Sequence, residues 1–356
     1  MKINFYTFNF DMKKFIYKTN IIIIIISLFV ITINYFGDAA NLFSESKELE
    51  IVEILKNTNV KNISNYDERV FQKELINSLE IKPDIIAIGS SRVMSIDSDF
   101  FNDKIFINNG VSGASIEDLI AIYQMYKSKD MLPKEIILGV DPWLFNINNN
   151  QNRWLSVEKE YNKYYNKEEP KINLNFTILK YTQLFSPSYL QESIKSLLRK
   201  LRGERKITPT AKKNNEGQTL LKDGSITYSQ KLRNITKDKV DYAVRKYIQS
   251  KIYSIEEFKR ISPEKFTEFQ NLCSDILEND IKLSFFLSPY HPLVYQKISQ
   301  DYDVVLDVEK EIVEFAINKK IKLIGSFSPF KAGVNDKDFF DGMHLLKSSV
   351  RLFNFN

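Results

Sequence analysis

The feature that most constrains the fold is a set of short apolar runs that each stop abruptly and give way to helical patterns. The runs of strand length are Asp84–Ile88, Ile105–Ile107, Glu135–Leu138, Leu283–Leu287 and Ile321–Ile324. The helical patterns include Ser115–Lys127, Pro263–Glu278 and Val304–Lys319. Strands that alternate with helices predict an α/β fold with a mostly parallel sheet. In such a sheet, ligands bind beyond the carboxyl ends of the strands.

Two serines follow the first of these runs, in the stretch Gly89-Ser90-Ser91-Arg92. A hydroxyl nucleophile has to be exposed at a sharp turn after a strand, where a backbone amide can also donate to a negative oxygen. Ser91 fits this requirement, and Ser90 is the alternative. On its own the motif has low specificity, because Gly-Ser-Ser is also ordinary turn chemistry.

A pair of glycines follows the second run, in Asn108-Asn109-Gly110-Val111-Ser112-Gly113-Ala114-Ser115. Gly110 and Gly113, at the start of a helix, allow the backbone to approach a ligand and to direct its amides at a negative oxygen. A dinucleotide-binding loop is the weaker interpretation, because the full G-x-G-x-x-G pattern is absent. The stretch therefore favours an oxyanion-binding loop.

The chain contains two histidines, His291 and His344, and the second belongs to Asp341-Gly342-Met343-His344. A general base for a serine nucleophile is an imidazole whose other ring nitrogen is held by a carboxylate. Asp341 and His344 can supply both groups from one loop. His291 follows another predicted strand, so we predict that it faces the same crevice as a substrate contact. A turn histidine without that role is the alternative.

The composition excludes several other classes of site. The single cysteine, Cys273, cannot form an intramolecular disulfide, and one cysteine with two histidines is too small a set for a zinc site of the usual kind. We therefore expect no metal and no cofactor. The net charge of +5 over 356 residues gives no general affinity for nucleic acid.

An uncharged apolar run, Ile21–Phe36, follows a lysine-bearing N-terminal stretch, 1–20. As a helix this run would span about 24 Å, close to the thickness of a bilayer core. Lysines before the run place the N-terminus in the cytoplasm. We predict a cytoplasmic tail over 1–20, a transmembrane anchor over 21–36 and a helical stalk over 37–80. A signal peptide cleaved near Gly37-Asp38-Ala39 is the alternative, and in both cases the rest of the chain is exported.

A long stretch, about 146–260, interrupts the alternation of strands and helices. It is rich in Asn, Lys, Tyr and Glu, and we predict a largely helical insertion with a turn and short strand near Asp223-Gly224-Ser225-Ile226. A basic cluster in this stretch comprises Lys195, Arg199, Lys200, Arg202, Arg205 and Lys206. The plain interpretation of the cluster is a solvated helix face, and contact with anionic lipid headgroups or an acidic glycan is the alternative.

In order along the chain the motifs are Gly-x-Ser, Gly-x-x-Gly, Gly-x-Asp and Asp-x-x-His, the third of them in Gly139-Val140-Asp141-Pro142-Trp143. This set resembles the SGNH/GDSL hydrolase superfamily over about Ile81–Leu144 and Lys282–Leu346. The resemblance implies a flavodoxin-like, three-layer α/β/α domain over 81–356 that carries the insertion. With its N-terminal anchor, the chain is similar to exported members that acylate or deacylate cell-surface polysaccharides, including alginate-acetylation and teichoic-acid D-alanylation proteins.

The resemblance also implies roles by position. Ser91 resembles the nucleophile, whose amide serves the oxyanion hole as well, and Gly113 resembles the second donor to that hole. Asp341 and His344 resemble the carboxylate and the general base of the family.

Two positions depart from the usual pattern of the family. Ser90 stands where many members have aspartate, and Asp141 stands where the third oxyanion donor is usually asparagine. An ionised aspartate has no hydrogen to donate and would repel the developing charge. Either Asp141 is protonated, or it has another role, such as binding a substrate hydroxyl, while the oxyanion hole uses backbone amides. Arg92 and Trp143 are predicted as further substrate contacts at the rim.

Together these features predict a membrane-anchored, extracytoplasmic serine esterase or O-acyltransferase that acts on acyl esters of cell-surface polysaccharide. The alternative is a non-catalytic glycan-binding or assembly protein on the same fold, which Asp141 favours. The expected partners are the membrane, the polysaccharide or an acyl donor, and a membrane acyltransferase, but not nucleic acid. The expected location is the cell membrane, with a single pass and a cytoplasmic N-terminus.

Overall fold

Five parallel strands form the main sheet in the computed structural model of the protein, which describes residues 5–38, 43, 47–63, 65–166, 178, 180–202 and 207–355. In chain order the strands are β1 (Asn59–Lys61), β2 (Ile85–Gly89), β3 (Phe106–Gly110), β4 (Glu135–Gly139), β5 (Thr208–Thr210), β6 (Thr219–Leu220), β7 (Ile226–Thr227), β8 (Lys282–Leu287) and β9 (Lys322–Gly325). The main sheet has the order β3-β2-β4-β8-β9, and every neighbouring pair in it is parallel. The prediction of an α/β fold with a mostly parallel sheet is therefore confirmed.

Helices separate the strands of this sheet. They are α1 (Phe5–Gly37), α2 (Lys47–Leu55), α3 (Glu68–Ser78), α4 (Ile116–Ser128), α5 (Glu158–Tyr164), α6 (Pro187–Leu201), α7 (Gln230–Arg233), α8 (Lys237–Gln249), α9 (Pro263–Glu278), α10 (Pro292–Asp301), α11 (Val304–Lys319), α12 (Pro329–Ala332) and α13 (Lys347–Val350). The three predicted helices correspond to α4, α9 and α11, and only α4 is displaced, by one residue.

The residues divide into two compact units. The larger unit comprises Glu48–Ile63, Asp67–Glu169 and Ile207–Asn356, and the smaller comprises Met1–Lys47, Ser64–Tyr66 and Pro170–Lys206. The larger unit contains both sheets, the second of which is antiparallel with the order β5-β1-β6-β7. The segment 37–80 was predicted as a helical stalk that also packs on the catalytic domain, and most of it, including β1 and α3, belongs to this larger unit.

The predicted insertion over 146–260 is also divided between the units. Its middle part, Pro170–Lys206, belongs to the smaller unit, while its flanks belong to the larger one. The turn and strand expected near residue 224 form a hairpin in which β6 pairs with β7. In the basic cluster, Lys195 lies on α6 with its side chain 56% exposed and pairs with Glu192, as a solvated helix face would predict. Arg205 and Lys206 lie outside the described residues.

The core strands are buried along their whole length. Every residue of β2, β3 and β4 is buried, which is typical of parallel strands covered on both faces. Asn108 and Asn109 of β3 are buried polar residues in this apolar surrounding, and both the nitrogen and the oxygen of each side-chain amide are hydrogen-bonded. Buried amides require such partners, because an unpaired one costs the energy of its desolvation.

A buried ion pair fixes the loop between β3 and α4. Arg69 of α3 donates from Nε and Nη2 to the two carboxylate oxygens of Asp118, at 2.9 and 2.8 Å, and from Nη2 to the carbonyl of Ser112 at 3.1 Å. Asp118 also accepts from the amide of Ser115 at the start of α4. The loop that contains Gly113 is therefore held from α3 on one side and from α4 on the other.

The smaller unit contains the apolar helix α1, which contacts α6. Gly37 makes this contact close, because a Cβ there would lie 2.5 Å from the carbonyl oxygen of Ser193. Asn34 is fully buried and donates to the carbonyl of Leu184 at 2.8 Å. The stretch Met12–Gly37 has a mean hydropathy of 2.2 and is long enough to cross a membrane, a test that a signal sequence would also pass.

The buried pair gives a prediction about stability. Arg69→Met leaves the fully buried carboxylate of Asp118 without its cation, so we expect the free energy of unfolding to fall by about 3–5 kcal/mol. Urea denaturation of the purified protein measures this. Lys134→Met is the control, because the Lys134 side chain is 82% exposed in its pair with Asp84 and its loss should hardly change the free energy of unfolding. Equal losses in the two variants would contradict the prediction.

Candidate active site

Ser91 lies on the turn that directly follows β2, at the carboxyl end of the main sheet. The neighbouring strand holds this turn in place, because Asn108 of β3 donates from Nδ2 to the carbonyls of Val93 and Ile96, both at 2.8 Å. β2 and β3 are paired in register, with Gly89 opposite Gly110. The turn after β2 and the loop after β3 therefore begin at the same level of the sheet.

The two serines of the turn have different surroundings. Ser90 is 0% exposed, and its Oγ accepts from the amide of Arg92 at 3.2 Å. Ser91 is only partly buried, and its Oγ lies 2.8 Å from Nε2 of His344. Of the two candidates, Ser91 is thus the one with both access and a neighbouring imidazole.

His344 lies between Ser91 and a carboxylate. Its Nδ1 is 2.8 Å from Oδ2 of Asp341 and 3.1 Å from Oδ1. Asp341 Oδ1 also accepts from the backbone amides of Met343 and His344, each at 2.8 Å, so the loop itself orients the carboxylate. The structure brings together the three residues that the sequence suggested, from chain positions 253 residues apart.

The charge state of Asp341 follows from its neighbours. Partial burial alone would raise its pKa, but the His344 ring, together with the amides of Met343 and His344, outweighs burial and lowers the pKa of the carboxyl below its ordinary value. An ionised Asp341 only accepts, so the hydrogen of neutral His344 lies on Nδ1. Nε2 is then free to accept from the hydroxyl of Ser91, which is the arrangement that activates a serine.

The loop after β3 offers backbone donors near this serine. The amide and hydroxyl of Ser112 are taken by the carboxylate of Glu68. Gly113 has φ +55°, the left-handed conformation that glycine adopts most easily. In the described part of the chain, the amides of Ser91 and Gly113 donate to no protein acceptor. Two free amides on adjacent loops can hold a negative oxygen.

Asp141 is not available as a donor or as a substrate contact. Its Oδ1 accepts from Nη1 of Arg92 at 2.9 Å, and the two side chains are 4% and 1% exposed. Arg92, which was predicted as a substrate contact at the rim, is buried in this pair, and its contact with a substrate stays a prediction. Its charge is compensated by Asp141, so the aspartate places no unpaired negative charge beside the site.

Arg92 instead binds the chain segments around the site to each other. Besides Asp141, its guanidinium donates to the carbonyls of Met343, at 3.2 Å, and Pro289, at 2.7 Å, and to that of Ser288. The guanidinium carbon lies 4.3 Å from the centre of the Tyr290 ring. Because the planar guanidinium presents several N–H donors in a rigid geometry, one arginine can bind all of these acceptors at once. Arg92 is therefore a structural anchor.

The other two predicted substrate contacts are buried. Trp143 is 2% exposed, and its Nε1 donates to the carbonyl of Ala114 at 3.0 Å. This hydrogen bond holds the loop that contains Gly113. His291 is 1% exposed and caps α10, with its Nδ1 accepting from the amide of Leu293. Burial lowers the pKa of His291. Both side chains are buried, and a substrate contact at either residue stays a prediction.

The predicted insertion also brings to the site polar residues that no sequence motif marked. Tyr228, which follows β7, donates from its hydroxyl to the carbonyl of Ser91 at 3.3 Å, and its ring contacts Phe340. Gln151, Arg153 and Tyr253 lie against Gly113. The tyrosine-rich composition of the insertion was the one available signal, and it did not indicate which tyrosines approach the site.

Two surface cavities of the described residues are lined by other side chains. One of about 390 Å³ lies beside Phe100 and Arg351, and one of about 830 Å³ lies beside Lys73 and Lys129. Among the described residues, no cluster of histidine, cysteine and carboxylate side chains could hold a metal ion. Cys273 is fully buried in α9, and burial raises the pKa of its thiol well above the ordinary value.

A scan against protein-family models and a search of curated proteins both gave no match to this chain. The roles of the site residues therefore have to be argued from their contacts.

The pairing of Asp141 with Arg92 predicts the effect of restoring an asparagine. Asp141→Asn removes the charge that compensates a buried guanidinium, so we expect a loss of about 3 kcal/mol in the free energy of unfolding and no gain in Ser91 reactivity. Asp99→Asn is the control, since Asp99 and its partner Lys213 are 45% and 44% exposed. An Asp141→Asn variant that is as stable as wild type and more reactive would show that Asp141 is not an anchor.

The lowered pKa of Asp341 predicts how stability depends on pH. A carboxyl whose pKa is lower in the folded state contributes stability that is present above its ordinary pKa of 3.8 and is lost as the pH falls through the folded value. We expect wild type to be more stable than Asp341→Asn at pH 6, and the difference to shrink below pH 3.8. Urea denaturation of both proteins from pH 2.5 to 7 tests this. A difference that does not change with pH would contradict it.

Proposed function

We propose that this protein is a membrane-anchored serine esterase or O-acyltransferase of the SGNH/GDSL type, which acts on acyl esters of cell-surface polysaccharide. The observation that carries the proposal is the chain of contacts from Ser91 Oγ to His344 Nε2, at 2.8 Å, and from His344 Nδ1 to Asp341, at 2.8 Å. These are the contacts that convert a serine into a nucleophile.

The proposed reaction uses these groups in order. His344 takes the proton of the Ser91 hydroxyl as Oγ attacks the ester carbonyl, and the amides of Ser91 and Gly113 bind the oxyanion. The tetrahedral intermediate then collapses, and the leaving alkoxide takes the proton from His344. Water, or a sugar hydroxyl deprotonated by His344, resolves the acyl-enzyme and gives hydrolysis or transfer.

The fold agrees with the proposed family. Numbered among themselves in chain order, the strands of the main sheet lie in the order 2-1-3-4-5, which is that of flavodoxin-like doubly wound sheets. Ser91 follows the first of these strands, beside the point between the first and third strands where the order reverses and ligands bind, and Gly113 follows the neighbouring second strand. We extend the proposal to a three-layer α/β/α arrangement of the larger unit.

The proposed location and substrate rest on the N-terminal helix and on the resemblance of the motifs. If α1 spans the membrane, the lysines before its apolar run keep the N-terminus in the cytoplasm. The larger unit would then lie on the outer side of the membrane. There the partners would be envelope polysaccharide, an acyl donor and a membrane acyltransferase.

Labelling with a fluorophosphonate tests the chemistry. We expect a stable adduct on Ser91 in the full-length protein, and loss of labelling by at least about 100-fold in Ser91→Ala and His344→Ala, because nucleophile and base act as a unit. The chain offers matched controls in Ser90→Ala and His291→Ala, which remove a buried serine and a buried histidine and should retain labelling.

The outcomes separate the candidate functions. If folded wild-type protein is not labelled, the chemistry is absent and the protein is a non-catalytic glycan-binding or assembly protein. If Ser91 is labelled, the acyl content of the surface polysaccharide in a strain with Ser91→Ala tests the substrate. Unchanged acylation in that strain would exclude the polysaccharide as the substrate, while the proposed esterase activity of Ser91 would still hold.

A further inference from the structure

The oxyanion hole of the proposed enzyme lacks its expected third donor. The amides of Ser91 and Gly113 supply two donors, but Asp141, at the position of the third, has no hydrogen to give when ionised and is bound to Arg92. Loss of one donor from such a hole typically slows turnover by about 10²–10³. Another group beside Gly113 would have to supply the missing hydrogen bond.

Two donor groups lie directly against Gly113. A Cβ at this position would come within 2.0 Å of the hydroxyl oxygen of Tyr253 and 2.5 Å of Nη2 of Arg153. No side chain other than hydrogen fits there, so the hydroxyl and the guanidinium contact the backbone of the loop. Both residues come from the insertion, which lies outside the motifs of the family.

The hydrogen bonds around Tyr253 leave its proton free. Its Oη accepts from Nη2 of Arg153 and from Nε2 of Gln151, both at 3.1 Å. A phenol oxygen that accepts two N–H bonds directs its own hydrogen to a third group. Donation from a cation polarises the hydroxyl and strengthens it as a donor.

The surrounding contacts hold the three side chains in place. Gln151 also donates from Nε2 to the carbonyl of Gly113 at 3.0 Å, and its Oε1 accepts from Nε of Arg153 at 2.8 Å. Tyr253 donates from its backbone amide to the hydroxyl of Tyr247 at 2.9 Å, and its ring lies edge-on to Trp143 at 5.4 Å. The hydroxyl of Tyr253 is therefore positioned from several sides.

We propose that the hydroxyl of Tyr253 is the third donor of the oxyanion hole, with Arg153 and Gln151 as the residues that position and polarise it. The assignment rests on the proposed function, since it requires attack by Ser91 on an ester. It replaces the missing asparagine by a residue from a different part of the chain. Tyrosine is a donor of this kind in other oxyanion holes.

Kinetics with a neutral ester test the assignment. For 4-nitrophenyl acetate, Tyr253→Phe should lower kcat about 100-fold and leave KM within about threefold, because the donor acts only in the transition state. Arg153→Gln should lower kcat by a smaller factor, and Arg153→Lys should restore part of it. Tyr242→Phe is the control, since this tyrosine is 70% exposed on α8, and it should retain the wild-type kcat.

A second readout is the rate at which a fluorophosphonate labels Ser91, which also needs the oxyanion hole and should fall in parallel with kcat in Tyr253→Phe. If Tyr253→Phe has the wild-type kcat and labelling rate, or if it only raises KM, the assignment is wrong. The proposed catalysis by Ser91 would be unaffected by that result. Absence of Ser91 labelling in the wild-type protein would instead overturn the proposed function, and the assignment with it.

Discussion

The buried ion pair between Arg92 and Asp141 is the interaction on which the arrangement of the site depends. Arg92 is the chain neighbour of Ser91, and its guanidinium also donates to the carbonyl of Met343, the chain neighbour of His344. One side chain therefore connects the turn of the proposed nucleophile to the loop of its base. Burial of such a pair is costly, and its several fixed acceptors offset that cost.

The sequence was sufficient to predict the main sheet and the central contacts of the site. Strands such as Ile85–Gly89 are continuous apolar runs because both faces are covered, and a run of that kind is visible without a structure. Ser91 could be proposed because it follows a predicted strand, and Asp341 and His344 because one short loop pairs a carboxylate with one of the two histidines of the chain. Parallel strands bring their carboxyl ends to one edge of the sheet, so residues far apart in the chain meet there.

Burial and pairing of polar side chains could not be predicted in the same way. Arg92, Trp143 and His291 follow strands, as site residues do, yet each is buried and bound to backbone groups. Position along the chain places a side chain at the edge of the sheet but does not determine whether it points outward or into the core. Only the partners that surround it decide this, and for Arg92 and Trp143 those partners come from other segments of the chain.

The same limitation applies to the insertion, whose residues have no periodic pattern that marks their role. Gly113 tolerates no side chain because Tyr253 and Arg153 occupy the space where a Cβ would lie, and the contact with Tyr253 joins positions more than a hundred residues apart. In the proposed reaction, Asp141 is bound to Arg92 and does not donate to the oxyanion, so a donor beside Gly113 is required. The proposed role of Tyr253 therefore accounts for both the aspartate at 141 and the insertion residues beside Gly113.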